Sequence, residues 1–176
     1  MSATPVEAPV IAPEIAEIEV ALTEIAYLAG RARQHERLMG LAGVDLDRSA
    51  AALLRHLARA EPVRAGELAN RMAVEASHVT RQIQQLERTG YVTRVPDPDD
   101  GRAQLIQLTH QGRVSVERIR AAGCLGMQQV LGEWPAEDLG RLATLFRRMV
   151  DDFIVHAEDE IAFELPPSPR IRRGTA

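Results

Sequence analysis

The sequence predicts a mainly α-helical protein carrying one small β-hairpin, and three observations predict it. Apolar residues recur at helical spacing in six stretches. One pair of β-branched segments flanks a loop rich in proline and aspartate. Aromatics are only 3% of the 176 residues, so the 45% apolar content rests largely on alanine and leucine, which favour helices.

The elements follow in order. Residues 1–13 set Pro5, Pro9 and Pro13 among small side chains, a composition that resists packing and reads as a disordered lead. From Glu14 a helix begins with Ile15, Ile18, Leu22, Ile25, Ala26 and Ala29 in register, and the pattern runs on through Leu38 and Met39 towards Gly43 as one long helix. Asp47 is the N-cap of a second helix bearing Ala50, Leu53, Leu54 and Leu57, which stops before Pro62. Ala65, Leu68, Ala69 and Met72 define a short third helix. A turn at Ala73 and Val74 leads directly into a fourth, over 76–89, which Gly90 ends.

Residues 91–95 and 103–108 are the two strands of the hairpin. Thr109 caps a fifth helix carrying Val114, Ile119, Ala122, Leu125 and Met127. Pro135 opens a sixth, with Glu137 and Asp138 in its first turn and the stripe Leu139, Leu142, Phe146, Met149 and Phe153, fraying near Leu165. Arg170, Arg172 and Arg173 then make 166–176 a basic, mobile tail, which either adds nonspecific phosphate contacts or hangs loose.

Charge is unevenly spread. Residues 1–45 carry −4 and 117–165 carry −5, whereas 46–116 carry +2, and the stretch 48–96 holds eight arginines against four glutamates. Such a basic middle suits an acidic partner such as nucleic acid. Every one of the 21 basic residues is arginine, whose fork suits phosphates, although the codon bias of a GC-rich genome accounts for the same composition.

Helix, short helix, tight turn, helix and hairpin in that order form a winged helix-turn-helix, in which the second turn-linked helix enters the major groove. The fourth helix fits this use. It buries Val79, Ile83 and Leu86 and offers Ser77, Thr80, Arg81, Gln84 and Arg88, with His78 and Gln85 at the margins. Hydroxyls suit phosphates, and arginine or glutamine can grip a base edge through two hydrogen bonds. Arg64 and Arg94 complete the basic set. The same face would also serve an ordinary solvated helix, and context decides for double-stranded DNA.

The stretch ELANRMAVEASHVTRQIQQLERTGYVTRVPDPDDGRAQLIQLTHQGR resembles the MarR (multiple antibiotic resistance regulator) family over residues 48–116. It shares that family's helix-turn-helix, its Leu-Glu…Gly turn into the wing, its Asp-x-Arg wing tip and its Leu-Thr…Gly lead-in to the next helix. By this resemblance Arg102 enters the minor groove, where a guanidinium suits a narrow electronegative channel. Asp100 then holds the wing or its arginines, or simply forms the turn. The resemblance further implies a homodimer reading a pseudo-palindromic operator, with residues 14–45 and 110–165 as the helical dimerisation domain and 46–109 as the DNA-binding domain. The periodicity agrees, because the long stripes containing Ile18, Leu22, Leu139, Leu142, Phe146, Met149 and Phe153 need a cover and a symmetry mate supplies one.

The sequence departs from the family at several points. Arg64 and Glu75 stand where small caps are frequent, Gly101 replaces a frequent arginine, and Ala73 replaces a frequent glycine, so the turn is expected not to need a positive φ.

Family members often bind small phenolic or lipophilic effectors. Tyr27, His35, Met39, His56, Met127 and Trp134 are the candidates to line such a pocket, each with an alternative reading as core or half-exposed packing. Repression released by ligand is what the resemblance implies. Cys124 reads as a buried inert thiol rather than a redox sensor. The five histidines lack paired metal-ligand spacing, and neither a metal nor a cofactor is expected. No nucleophile elbow, phosphate loop or dinucleotide fingerprint is present, so the chain is not expected to be an enzyme. No apolar run reaches membrane-span length and the first 30 residues carry glutamates without a cation, which places the protein in the cytoplasm. The alternative function is a winged-helix protein-interaction or architectural module.

Overall fold

The computed structural model describes residues 11–158. The reading of the first ten residues, of the helix fraying near Leu165 and of the tail 166–176 therefore falls outside the described residues.

Helix α1 (Pro13–Gly30) stops where the sequence pattern ran on. Arg31 is extended (φ −69°, ψ 135°) and α2 (Ala32–Ala42) starts afresh, so the single long helix expected to Gly43 is two. Gly30 is the weak point in the pattern. Arg48 bridges the break, its guanidinium donating to Ala29 O at 3.4 Å and to Arg31 O at 3.1 Å, the latter also accepting the Gln34 N–H that begins α2.

Helix α3 (Arg48–Leu57) is capped as expected, the Asp47 carboxylate accepting the Ala50 N–H at 2.8 Å. A two-residue strand β1 (Val63–Arg64), which no periodicity could announce, precedes α4 (Ala65–Met72) and α5 (Ala76–Arg88). Strands β2 (Val92–Pro96) and β3 (Gln104–Leu108) form the hairpin, and β1 adds to its other side to give the antiparallel order β1-β3-β2. Helices α6 (His110–Leu131) and α7 (Ala136–Glu158) complete the described chain.

The turn between α4 and α5 corrects one expectation. Ala73 adopts φ 50°, ψ 43°, so the turn does require the left-handed conformation that the absence of glycine had argued against. Its role is a Schellman closure: Ala73 N–H bonds Asn70 O at 3.1 Å and Val74 N–H bonds Ala69 O at 3.2 Å. Helices α2 and α5 close in the same way on Gly43 (φ 63°) and Gly90 (φ 80°).

Thr109 locks the start of α6 beneath the hairpin. Its hydroxyl donates to Gly90 O at 2.6 Å and accepts the Gly112 N–H at 3.1 Å. The buried face of α6 is Gly112, Ser115, Val116, Ile119 and Ala122, whereas Val114, Leu125 and Met127, expected with the apolar set, are exposed.

The chain divides into two compact units. The larger is Thr23–Val130, wider than the 46–109 span the sequence suggested for the winged helix, and every buried apolar residue described lies in it. Its centre is Leu53, Leu54, Leu57, Leu68, Ile83, Leu86, Ile106 and Ile119, contributed by α3, α4, α5, β3 and α6. The smaller unit takes the chain before Thr23 and after Val130. There the part of α1 before Thr23 and α7 as far as His156 bury none of their residues.

Candidate nucleic-acid interface

Helix α5 sorts its residues by angle. At 100° per residue, Val79, Ile83 and Leu86 fall together and are at most 1% exposed, while Ser77, Thr80, Arg81, Gln84 and Arg88 occupy the opposite arc and are exposed. The Thr80 hydroxyl donates to Ala76 O at 2.8 Å and still has lone pairs to offer. Among the described residues, the side chains of Arg81, Arg88 and Arg102 have no carboxylate within ion-pair distance.

Other arginines from the predicted set are engaged within the protein. The Arg94 Nε donates to Glu87 Oε2 at 3.0 Å, joining β2 to α5. Arg64 donates through Nε to Asp97 Oδ2 at 2.8 Å and through Nη2 to the same oxygen at 2.6 Å, and its Nη2 stands 3.7 Å from Asp100 Oδ2. His78 is half-buried and shares a 2.8 Å hydrogen bond with the Ser49 hydroxyl, which turns it towards α3. The missing caps of α4 and α5 are also explained in part: neither Arg64 nor Glu75 caps with its side chain, and the Arg64 side chain is spent on the wing.

Sequence reasoning missed Asp97. Its residue exposure is only 7%, and it accepts, besides Arg64, the Asp99 N–H at 2.9 Å. The Asp99 N–H first, and the Arg64 guanidinium second, hold its carboxyl below the usual carboxylate range, and Asp97 in turn holds Arg64 further into its charged form. Asp100 is exposed and accepts the Arg102 N–H at 3.1 Å, so it does form the turn at the wing tip and also stands near Arg64. The signal available in the sequence was the Pro-Asp-Pro-Asp spacing, in which an aspartate two residues before an N–H closes an Asx turn.

The effector candidates are scattered in environment. Met39 is core at 5% exposure; the His35 Nε2 donates to Leu46 O at 2.8 Å. His56 is half-buried, and burial first, then Arg59 and Arg55, push its pKa down. Tyr27, Met127 and Trp134 are 69%, 60% and 47% exposed, with the Arg31 guanidinium 5.9 Å from the Tyr27 ring centre. An open groove lies elsewhere, against the helix-turn-helix, lined by Ala69, Asn70, Ala73, Val74, Glu75 and His78.

Among the dimerisation candidates, Ile18, Leu142, Phe146 and Phe153 are exposed and Leu22, Leu139 and Met149 half-buried. Cys124, expected to be buried, is exposed, because the core face of α6 runs through Ile119 and Ala122 and turns away from it. No group of three metal-ligating side chains occurs among the described residues, and no described helix is long and apolar enough to cross a membrane.

A helix-turn-helix backed by a three-stranded wing, with an arginine-bearing face on its second helix, defines the winged-helix class of DNA-binding regulators. Comparison with known proteins narrows this. Residues 44–103 match the MarR family profile. The HTH-type transcriptional regulator YxaD of Bacillus subtilis is 31% identical over 137 residues, 78% of this chain and 93% of the relative. The chain therefore belongs to the MarR family and is a DNA-binding transcriptional regulator, not an enzyme. The fold agrees: a MarR family protein from Bacillus stearothermophilus superposes with TM-score 0.72 at 20% identity, covering 83% of this chain and 99% of that one. Wild-type MarR of Escherichia coli in its apo form gives 0.59 at 23% identity, covering 80% and 98%.

Proposed function

We propose that the protein works in the cytoplasm as a homodimer that reads a pseudo-palindromic operator in double-stranded DNA and represses transcription until a small lipophilic or phenolic effector releases it. The observation that carries the DNA reading is the free polar arc of α5. On this reading Arg81 and Gln84 meet base edges, Ser77, Thr80 and Arg88 meet phosphates, and Arg102 at the wing tip enters the adjacent minor groove.

Dimerisation is supported by the exposed apolar residues of α1 and α7, which we assign, with the rest of 14–45 and 110–165, to the dimer arm around the DNA-binding part 46–109. A monomer has no reason to leave Ile18, Leu142, Phe146 and Phe153 in water. Two-fold symmetry would set the two α5 helices about one DNA turn, roughly 34 Å, apart. For the effector, the exposed rings of Tyr27 and Trp134 and the Met127 thioether are the support. Such a ligand acts only by binding the DNA-competent and released states with different affinity.

Fluorescence anisotropy tests the reading, with the DNA upstream of the protein's own coding sequence and a scrambled duplex at two salt concentrations. Preferential, salt-sensitive binding that Arg81→Ala abolishes is expected. Equal weak binding to both duplexes, insensitive to Arg81, would instead favour a protein-interaction module.

A further inference from the structure

The wing loop poses an electrostatic problem. Between β2 and β3 it carries three carboxylates, Asp97, Asp99 and Asp100, and one guanidinium, Arg102. A loop of that charge approaching a phosphate backbone is repelled unless its acids are engaged.

The structure engages two of them through one residue from outside the hairpin. Arg64 sits where β1 meets α4, 33 positions before Asp97. Its guanidinium spans to Asp97 at the foot of the loop and lies within ion-pair distance of Asp100. Asp97 closes the foot in two further ways, donating its N–H to Ala103 O at 3.1 Å and accepting the Asp99 N–H. Asp100 carries the connection to the tip, where it accepts the N–H of Arg102 and its carbonyl accepts the Ala103 N–H at 2.8 Å. A continuous path thus runs from the helix-turn-helix through Arg64 and two carboxylates to the backbone of Arg102. Near-complete burial of a carboxylate is costly without such partners, so the clasp sets one conformation of the loop.

The geometry points to Asp97 and Arg64 as positioning residues for DNA binding: they fix the wing so that Arg102 reaches its groove, and Arg64 is not itself a phosphate contact. This rests on the DNA reading above and deepens it. The sign of the Asp97 effect separates it from plain electrostatics. Removing a negative charge beside DNA strengthens binding by simple Coulomb attraction, whereas loss of the clasp weakens it.

The experiment uses the full-length protein and the duplex it enriches most strongly from a randomised library. Binding is measured for wild type, Asp97→Asn, Arg102→Ala and the double variant. Asp97→Asn is expected to weaken binding about tenfold, the order of one lost specific contact, but less than about twofold on the Arg102→Ala background, because the two act through one contact. Unchanged or tighter binding by Asp97→Asn, or the same loss on both backgrounds, overturns the inference. If Asp97→Asn does not fold, Arg64→Met, which keeps the stem of the side chain and the loop's own hydrogen bonds, is put through the same cycle. Additive losses there mark Arg64 as a direct phosphate contact and overturn the inference equally. Failure of the wild type to enrich any sequence overturns the DNA reading and this inference with it; a binding wild type with an indifferent Asp97→Asn overturns this inference alone.

Discussion

Glu87 in the recognition helix holds Arg94 in the wing, with Glu87 Oε2 and Arg94 Nε 3.0 Å apart and both side chains partly exposed. The pair decides how the arginines divide between structure and DNA. A guanidinium already on a carboxylate displaces few counterions from DNA, whereas a free one displaces about one. Arg88→Ala is therefore expected to lower the slope of log affinity against log salt by about 1, and Arg94→Ala by much less. Titrations at four salt concentrations measure both; equal slope changes would place Arg94 on the phosphates. As a partly exposed pair, Glu87 and Arg94 contribute at most about 1 kcal/mol to folding.

Ala73 is the one residue other than glycine with positive φ among the described residues, and it occupies the position that Gly43 and Gly90 hold at the ends of α2 and α5. A Cβ in the left-handed region costs roughly 1 kcal/mol, partly offset by the greater freedom of glycine in the unfolded chain. Ala73→Gly is expected to raise the urea midpoint by an amount worth about 0.5–1 kcal/mol with DNA affinity unchanged. A lowered midpoint would contradict the strained turn.

That turn also shows what was legible in the sequence. Local signals were read correctly where the cause is local: Asp47 and Thr109 as N-caps, Gly90 as a terminator, the 3.6-residue rhythm of α3, α4 and α5 and the two hairpin strands. Cases decided by distant partners were not. The break at Arg31 is stabilised by Arg48, seventeen residues on. Strand β1 exists because β3 offers it an edge. Asp97 is buried because Arg64 comes to it from another element, and ion pairing across 33 positions leaves no period to detect. On α6 the reading placed Ile119 and Ala122 correctly, but the buried face also includes Gly112 and Ser115, which carry no apolar signal, and Val114, Leu125 and Met127 point away from it.

Stability should fall on acidification in two steps of known sign. His56 is kept neutral in the fold by burial and by Arg59 and Arg55, so its folded pKa lies below the ordinary 6.5. Below pH 6.5 the unfolded chain binds the proton more readily, and stability is lost as the pH falls from there towards the folded pKa. Asp97 has its folded pKa below the ordinary 3.8. Its contribution is present above 3.8 and disappears as the pH drops through the folded value. Urea midpoints at pH 7.5, 5.5 and 3 follow both steps. His56→Gln is expected to flatten the first interval; an unaltered slope there would assign the loss to another group.

Gly112 permits the closest approach between α6 and the hairpin. A Cβ at this position would lie 2.1 Å from Tyr91 O, a backbone atom that cannot swing aside, and Thr109 fixes both sides of the contact through its bonds to Gly90 and Gly112. Gly112→Ala is expected to cost about 3 kcal/mol or more, beyond the usual overpacking range because backbone must shift. Gly126→Ala on the same helix meets nothing within 4 Å and serves as the control, gaining up to about 1 kcal/mol from helix propensity in the urea midpoint. Similar effects at the two positions would mean that α6 does not press against the Tyr91 carbonyl in solution.

Phe146 tests the dimer. It lies on α7 one turn from Leu142 and is 42% exposed, in a helix that buries no residue as far as His156. If a symmetry mate covers this stripe, Phe146→Asp places a carboxylate in the interface twice, once from each copy, and each burial is unpaired. Sedimentation equilibrium is expected to show self-association weakened by at least about 100-fold in affinity, the scale of a lost central aromatic contact at two sites. Thermal stability of the wild type should rise with protein concentration, as binding of a second copy requires, and that dependence should vanish in the variant. DNA binding supplies the further check: one half-site per monomer loses the benefit of two linked contacts, so operator affinity falls steeply while the far-UV spectrum stays helical. A variant that sediments as the wild type does would leave α7 to some other partner and remove the argument for two recognition helices spaced by one turn of DNA.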